Sequence, residues 1–140
     1  MAETLKLEMV TPYKKVLSED VDEITAPGAV GEFGILPGHT PMLTTLKIGE
    51  LSYRKGGEDF HVAVNWGYVE VEAGKVTVLV ETAEPADEID LERAKAALGR
   101  AEEALKKLSP EDKGYKVMEA ALERAMIRIQ VAGRDSRRGH

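Results

Sequence analysis

The chain has 140 residues, 43% of them hydrophobic, no cysteine and a formal net charge of −6. That length supports one main core with a small appendage. The missing cysteines exclude disulfides, iron-sulfur clusters and thiolate metal sites, and the negative charge argues against nonspecific nucleic-acid binding.

The opening MAETLKLEMV has no basic stretch followed by an apolar one. No segment approaches the roughly 18 to 20 apolar residues of a membrane-spanning helix. A soluble protein, not exported by a signal peptide, is expected. The charge is uneven: residues 1–85 carry 7 Lys or Arg against 14 acids, and residues 113–140 carry 7 against 3. The basic end is either a solvated helix face or a surface for an acidic or phosphate-bearing partner.

Residues 1–85 read as strands. Leu5, Leu7 and Met9 alternate with Lys6 and Glu8, the period of two of a strand with one wet face. Val62 and Val64 flank Ala63, Val69 and Val71 sit between Tyr68, Glu70 and Glu72, and Val76, Val78 and Val80 follow the turn Ala73-Gly74-Lys75. Turn signals at Ala26-Pro27-Gly28, Leu36-Pro37-Gly38 and Lys55-Gly56-Gly57 divide the runs into a meander. The expected fold of this part is an all-β sandwich, a flattened barrel of about ten strands.

At Glu84-Pro85-Ala86-Asp87 alanines replace β-branched residues, which marks a boundary, because proline disfavours helix before it. From Ile89 to Leu108 the residues Leu91, Ala94, Leu98, Ala101, Leu105 and Leu108 form one helical stripe. Ser109 is the expected N-cap of a second helix, with Pro110 at its first position and Glu111 and Asp112 in its first turn. Tyr115, Met118, Leu122, Ala125 and Ile129 continue its stripe. Residues 86–140 are therefore expected to form an antiparallel helical hairpin. Its many alanines predict a thin interface, within the range a ligand or partner can shift.

Self-sufficient catalytic chemistry is missing. There is no phosphate-binding G-x-x-x-x-G-K-[ST] loop, and the glycines of residues 28–34 lack dinucleotide-loop spacing. His39, His61 and His140 are too scattered for a metal site. His39 beside Glu32 reads as a structural turn histidine rather than an acid-base pair.

The segment GEFGILPGHTPMLT at residues 31–44, the opening LKLEMVTPYKKVLSEDVDEITAPG, the strand pair GYVEVEAGKVTVLVETAE, IDLERAKAAL and RAMIRIQVA closely resemble the epsilon-subunit family of bacterial F-type ATP synthases. The resemblance runs over essentially the whole chain. It implies a β-sandwich at 1–85 that docks the gamma subunit and the c-ring, and a regulatory hairpin at 86–140. It further implies a non-catalytic rotor subunit on the cytoplasmic face of the bacterial inner membrane, peripheral and held there through the complex. Gly31, Glu32, His39, Thr40, Leu43 and Thr44 correspond to the partner-binding loop, with Glu32 toward the c-ring.

The family's second role is restraint of ATP hydrolysis by a hairpin that extends toward the alpha and beta subunits of the catalytic head. Arg124, Arg128, Arg134, Arg137 and Arg138 are the matching candidates for contact with acidic head segments. Some members bind ATP through an I/L-D-x-x-R-A motif, which Ile89-Asp90-Leu91-Glu92-Arg93-Ala94 matches. Arg93 and Arg100 share a helical face, and an antiparallel second helix can bring Arg124 and Arg128 alongside. Four guanidiniums suit a triphosphate, with Asp90 and Glu84 free to accept hydrogen bonds. The bland reading makes Asp90 a first-turn acid and Arg93 a solvated side chain. No cofactor is required on this reading, and ATP is a regulatory ligand; the alternative is a free-standing ATP-binding sensor.

Overall fold

A computed structural model describes residues 3–135. Among them the chain first forms ten strands: β1 (Leu5–Val10), β2 (Lys15–Val21), β3 (Glu23–Gly28), β4 (Gly31–Ile35), β5 (Met42–Leu46), β6 (Gly49–Lys55), β7 (Glu58–Val64), β8 (Gly67–Glu72), β9 (Lys75–Val80) and β10 (Ala83–Pro85). A short 3-10 turn at Ala86–Glu88 leads into α1 (Leu91–Lys106) and α2 (Tyr115–Ala132). The expected sandwich and hairpin are both present.

The strands run in the order β10-β7-β6-β3-β5-β8-β9-β1-β2, with β4 also bonded to β3. The corner is β3. Its first half pairs with β6 through Glu23, Ile24 and Thr25, and its end meets β5 at Gly28 opposite Leu46. Leu7, Met9, Val69 and Val78 from one half and Ile24, Ile35, Leu51 and Val62 from the other then share one buried cluster. Each such aliphatic side chain contributes about 1.5 to 3 kcal/mol through burial. At Gly67, opposite Val80, a Cβ would come within 1.9 Å of the Leu79 carbonyl oxygen, so only glycine allows β8 to approach β9 this closely.

Three local expectations are corrected. Ala26-Pro27-Gly28 is not a turn but the buried end of β3. Pro27 lacks an N–H, yet it sits past the last β3–β6 pair at Thr25, and its carbonyl accepts from Lys47 N at 3.0 Å. The first helix is shorter than 89–108, because Ile89 is extended and Asp90 is the N-cap.

The second helix does not begin at Ser109. The Asp112 carboxylate accepts from Ser109 N at 2.8 Å, and Asp112 N donates to the Ser109 carbonyl at 2.9 Å. Capping chemistry thus forms, but it closes only a turn. Gly114, a poor helix former, separates it from α2.

Across the hairpin the fully buried stripe positions are Ala94, Ala101 and Ala125, so the seam is as thin as expected. Larger contacts lie elsewhere. Val131 and Ala132 at the end of α2 are buried with Ile89 against Ala63 of β7. By strand phase alone Ala63 belongs to the wet face; the end of α2 covers it.

Candidate ligand cleft and docking surfaces

A cleft of about 860 Å³ lies where α1 and α2 meet β10 and the β1–β2 turn. Its helical wall is a slope of alanines, with Ala97, Ala101 and Ala104 from α1 and Ala121 and Ala125 from α2. Small side chains leave room there, and cations stand around it: Arg100 from α1, Arg124 and Arg128 from α2, and Lys14 from the turn. Glu81, Glu84 and Glu88 provide the acids. Arg128 donates from Nε to Glu84 Oε1 at 2.7 Å and from Nη2 to Oε2 at 3.3 Å. Among the described residues Arg100, Arg124 and Lys14 make no ion pair, so their charge is available to an anion.

The structure therefore gathers Glu84, Arg100, Arg124 and Arg128 from the sequence-derived ATP set, and leaves the other four outside the lining. Ile89 and Ala94 are buried. Asp90 Oδ1 accepts from the backbone N–H of Arg93 at 3.1 Å, which caps α1. The Arg93 side chain is 84% exposed and reaches only back to Asp90, at 3.9 Å. Lys14 and Tyr13 were missed, because nothing in the sequence brings the β1–β2 turn to the hairpin.

A second feature ties α2 to the sandwich. Glu50 on β6 accepts four hydrogen bonds: His61 Nδ1 at 2.6 Å, Gln130 Nε2 at 2.7 Å, and Arg134 Nε and Nη2 at 3.1 and 3.3 Å. Its burial disfavours the charged form, but these donors and the Arg134 charge outweigh that and hold its carboxyl below the usual carboxylate range. The sequence offered no sign of this cluster. Of the cations assigned to head contact, Arg124, Arg128 and Arg134 have now been placed; Arg137 and Arg138 lie outside the described residues.

The segment that the resemblance assigns to partner binding lies on β4, β5 and their connection. Gly31 has a φ of 142°, which glycine adopts freely. Glu32 and Thr40 are exposed, and His39 Nδ1 donates to the Thr40 carbonyl at 2.7 Å. Leu43 is 67% exposed, whereas Thr44 is half-buried on the opposite face of β5, so their side chains cannot meet one partner surface together.

One end of the outward phase of β8 and β9 is apolar. Thr45 pairs with Tyr68, and Tyr68 with Leu79. Tyr68, Leu79 and Trp66 are each about half exposed, beside an open groove of about 780 Å³. The signal was visible: Tyr68 and Leu79 stand in the same strand phase as the exposed Glu70 and Glu72 and the half-exposed Thr77.

Comparison with known proteins agrees with this two-part construction. Residues 4–86 match the family model described as the ATP synthase Delta/Epsilon chain beta-sandwich domain, and residues 87–133 match the long alpha-helix domain of the same chain. The ATP synthase epsilon chain of Geobacter metallireducens is 76% identical over 138 residues, covering 99% of this chain and 100% of the relative. That of Geobacter sulfurreducens is 75% identical with the same coverage.

A chain in the Euglena gracilis mitochondrial ATP synthase structure, titled OSCP/F1/c-ring in rotational state 1, superposes with a TM-score of 0.78 at 28% identity. The match covers 93% of this chain and 81% of that one. A chain of the Tetrahymena thermophila mitochondrial central stalk and c-ring shares the fold, with a TM-score of 0.52 at 20% identity over 91% of this chain and 92% of that one. With both family models spanning nearly its whole length, the chain belongs to the ATP synthase delta/epsilon chain family.

Proposed function

We propose that the chain is a non-catalytic central-stalk subunit of a bacterial F-type ATP synthase, whose sandwich docks the rotor and whose hairpin restrains ATP hydrolysis. The observation that carries this reading is the match of both domains, in order, to the delta/epsilon chain family. The partners are the gamma subunit and the c-ring for the sandwich, and the alpha and beta subunits for the extended hairpin. The exposed apolar strip of Trp66, Tyr68 and Leu79 suits a lasting protein contact, and the loop carrying Glu32, His39, Thr40 and Leu43 suits the second. The complex would hold it on the cytoplasmic face of the inner membrane.

ATP is the proposed ligand of the cleft. Arg100 and Arg124 face that space without a carboxylate partner among the described residues, and guanidiniums bind phosphate oxygens in bidentate fashion. A bound triphosphate would bridge α1 and α2 and favour the folded hairpin, so abundant ATP would release the restraint. Hydrolysis is not part of this reading, since it needs a metal-phosphate site and a positioned water.

The test is the ATPase rate of a catalytic head complex lacking its epsilon subunit, titrated with the full chain and with a version ending at Ala86. The sandwich keeps its own core when the hairpin is removed, because the main cluster draws only on strand residues and their neighbours. Binding by both and inhibition by the full chain alone is expected. If neither binds, the rotor assignment fails.

A further inference from the structure

Glu50 is the most heavily bonded side chain in the described structure that no part of the proposed function uses. A carboxylate offers about four acceptor sites, and Glu50 fills four, through His61, Gln130 and two nitrogens of Arg134. Two donors come from α2 and its end, 80 and 84 residues away in sequence. His61 on β7, two residues before Ala63, the direct cross-strand partner of Glu50, fixes the carboxylate from the sandwich side.

The same arrangement repeats at Glu84, whose two oxygens take the Nε–Nη2 edge of Arg128. Between these two anchors Val131 and Ala132 pack on Ala63. The sandwich thus presents α2 with two carboxylates on either side of an apolar contact. An acidic protein surface would have to offer the same groups to the same arginines.

We propose that Glu50 is the receptor carboxylate that retains the basic end of α2 in the folded form and withholds Arg134 from an acidic partner surface. This rests on the reading of the hairpin as a brake. A guanidinium whose Nε–Nη2 edge is held by one carboxylate cannot give that edge to another, so an acidic partner can take this edge of Arg134 only after Glu50 releases it. Glu50 therefore acts on inhibition through the folded population, without touching the partner. Arg134 acts on both sides of the equilibrium.

This asymmetry supplies the test. The chain has no cysteine, so dyes attached at Glu58→Cys on the sandwich and Lys116→Cys on α2 report hairpin docking by energy transfer in the full-length protein. Glu50→Gln should lower the transfer and reduce the concentration needed for half-inhibition of the depleted head complex about threefold or more. Arg134→Gln should lower the transfer in the same way yet leave inhibition no stronger than wild type, because the withheld cation is gone. Gln130→Ala, a milder exposed substitution, should move transfer in the same direction should Glu50→Gln fold poorly.

Wild-type transfer in both Glu50→Gln and Gln130→Ala would overturn the proposal. So would equal effects of Glu50→Gln and Arg134→Gln on inhibition, the pattern of a merely structural contact. If Glu50→Gln lowers transfer but neither it nor wild type inhibits, the retaining role of Glu50 stands and the brake reading is what fails.

Discussion

Arg128 in α2 and Glu84 in β10, 44 residues apart, meet edge to edge, with Nε 2.7 Å from Oε1 and Nη2 3.3 Å from Oε2. Their side chains are 25% and 35% exposed, so the pair is screened less than a surface bridge but is not desolvated. Glu84→Gln is expected to weaken hairpin docking by about 1 kcal/mol, after allowance for that exposure. Hydrogen exchange should show faster opening of α2 and an unchanged β1–β9 core. Unchanged exchange in α2 would mean that the pair contributes nothing to docking.

The cleft makes a separable prediction about ATP. Arg100 and Arg124 face the space from different helices. A ligand that bridges the helices needs both. Arg100→Ala and Arg124→Ala should each weaken ATP binding about tenfold in titration calorimetry. Loss at one site with no effect at the other would place the ligand on a single helix and remove the basis for its holding the hairpin folded.

Asp90 has a structural duty whatever it does for a ligand. Its Oδ1 caps α1 by accepting from Arg93 N at 3.1 Å, and replacing such a cap by alanine costs about 1 kcal/mol. Asp90→Ala should therefore lower the thermal midpoint, while Asp90→Asn, which still caps, should not. Weaker ATP binding in the asparagine variant at unchanged stability would identify Asp90 as a ligand contact. Equal affinity in wild type and Asp90→Asn would leave it a cap alone.

These assignments show where local pattern suffices. Leu5, Leu7 and Met9 could be placed inside the sandwich because strand side chains alternate, and the ladder obeys that alternation. The alanine stripe of the hairpin was legible for the same kind of reason, with a period set by one helix. Ser109 and Pro110 misled because capping chemistry specifies a turn and not its continuation, and Gly114 interrupts it. Ala63 misled because its burial depends on Val131 and Ala132, far along the chain. Glu50 was illegible for that reason too: an isolated glutamate in a strand carries no mark of partners 80 and 84 residues later. The candidate cleft was half legible, through the helix faces of Arg100, Arg124 and Arg128, while the contribution of Lys14 required the fold.

Two glycines should respond in opposite directions to the same substitution. Gly67→Ala puts a Cβ 1.9 Å from the Leu79 carbonyl oxygen and 2.7 Å from Val80 Cα, both backbone atoms in the paired strand. The β8–β9 ladder must separate, at a cost of about 3 kcal/mol. At Gly99, inside α1, nothing lies within 4 Å of the added Cβ. There alanine should stabilise the helix by about 0.5 to 1 kcal/mol. Urea unfolding of the two variants checks both signs, and a destabilised Gly99→Ala protein would contradict the open space beside α1.

The depressed pKa of Glu50 sets the direction of a pH effect. Burial acts to raise it, and the hydrogen bonds from Gln130, Arg134 and His61 with the Arg134 charge act to lower it and prevail. A carboxylate with a folded-state pKa below its unfolded value of about 4.5 contributes stability that is fully present above that value and is lost as pH falls through the folded pKa. The Glu50 share of hairpin docking should therefore hold steady from neutrality down to about pH 5 and weaken below it. Glu50→Gln cannot titrate, so its docking should be weaker at neutral pH and lose part of this acid dependence. Comparing energy transfer from pH 7 to pH 3 in the two proteins isolates the Glu50 share from the other carboxylates, because those titrate alike in both. Parallel curves would mean that Glu50 carries no charge-dependent share of the docking, and that its four bonds only shape the surface on which α2 rests.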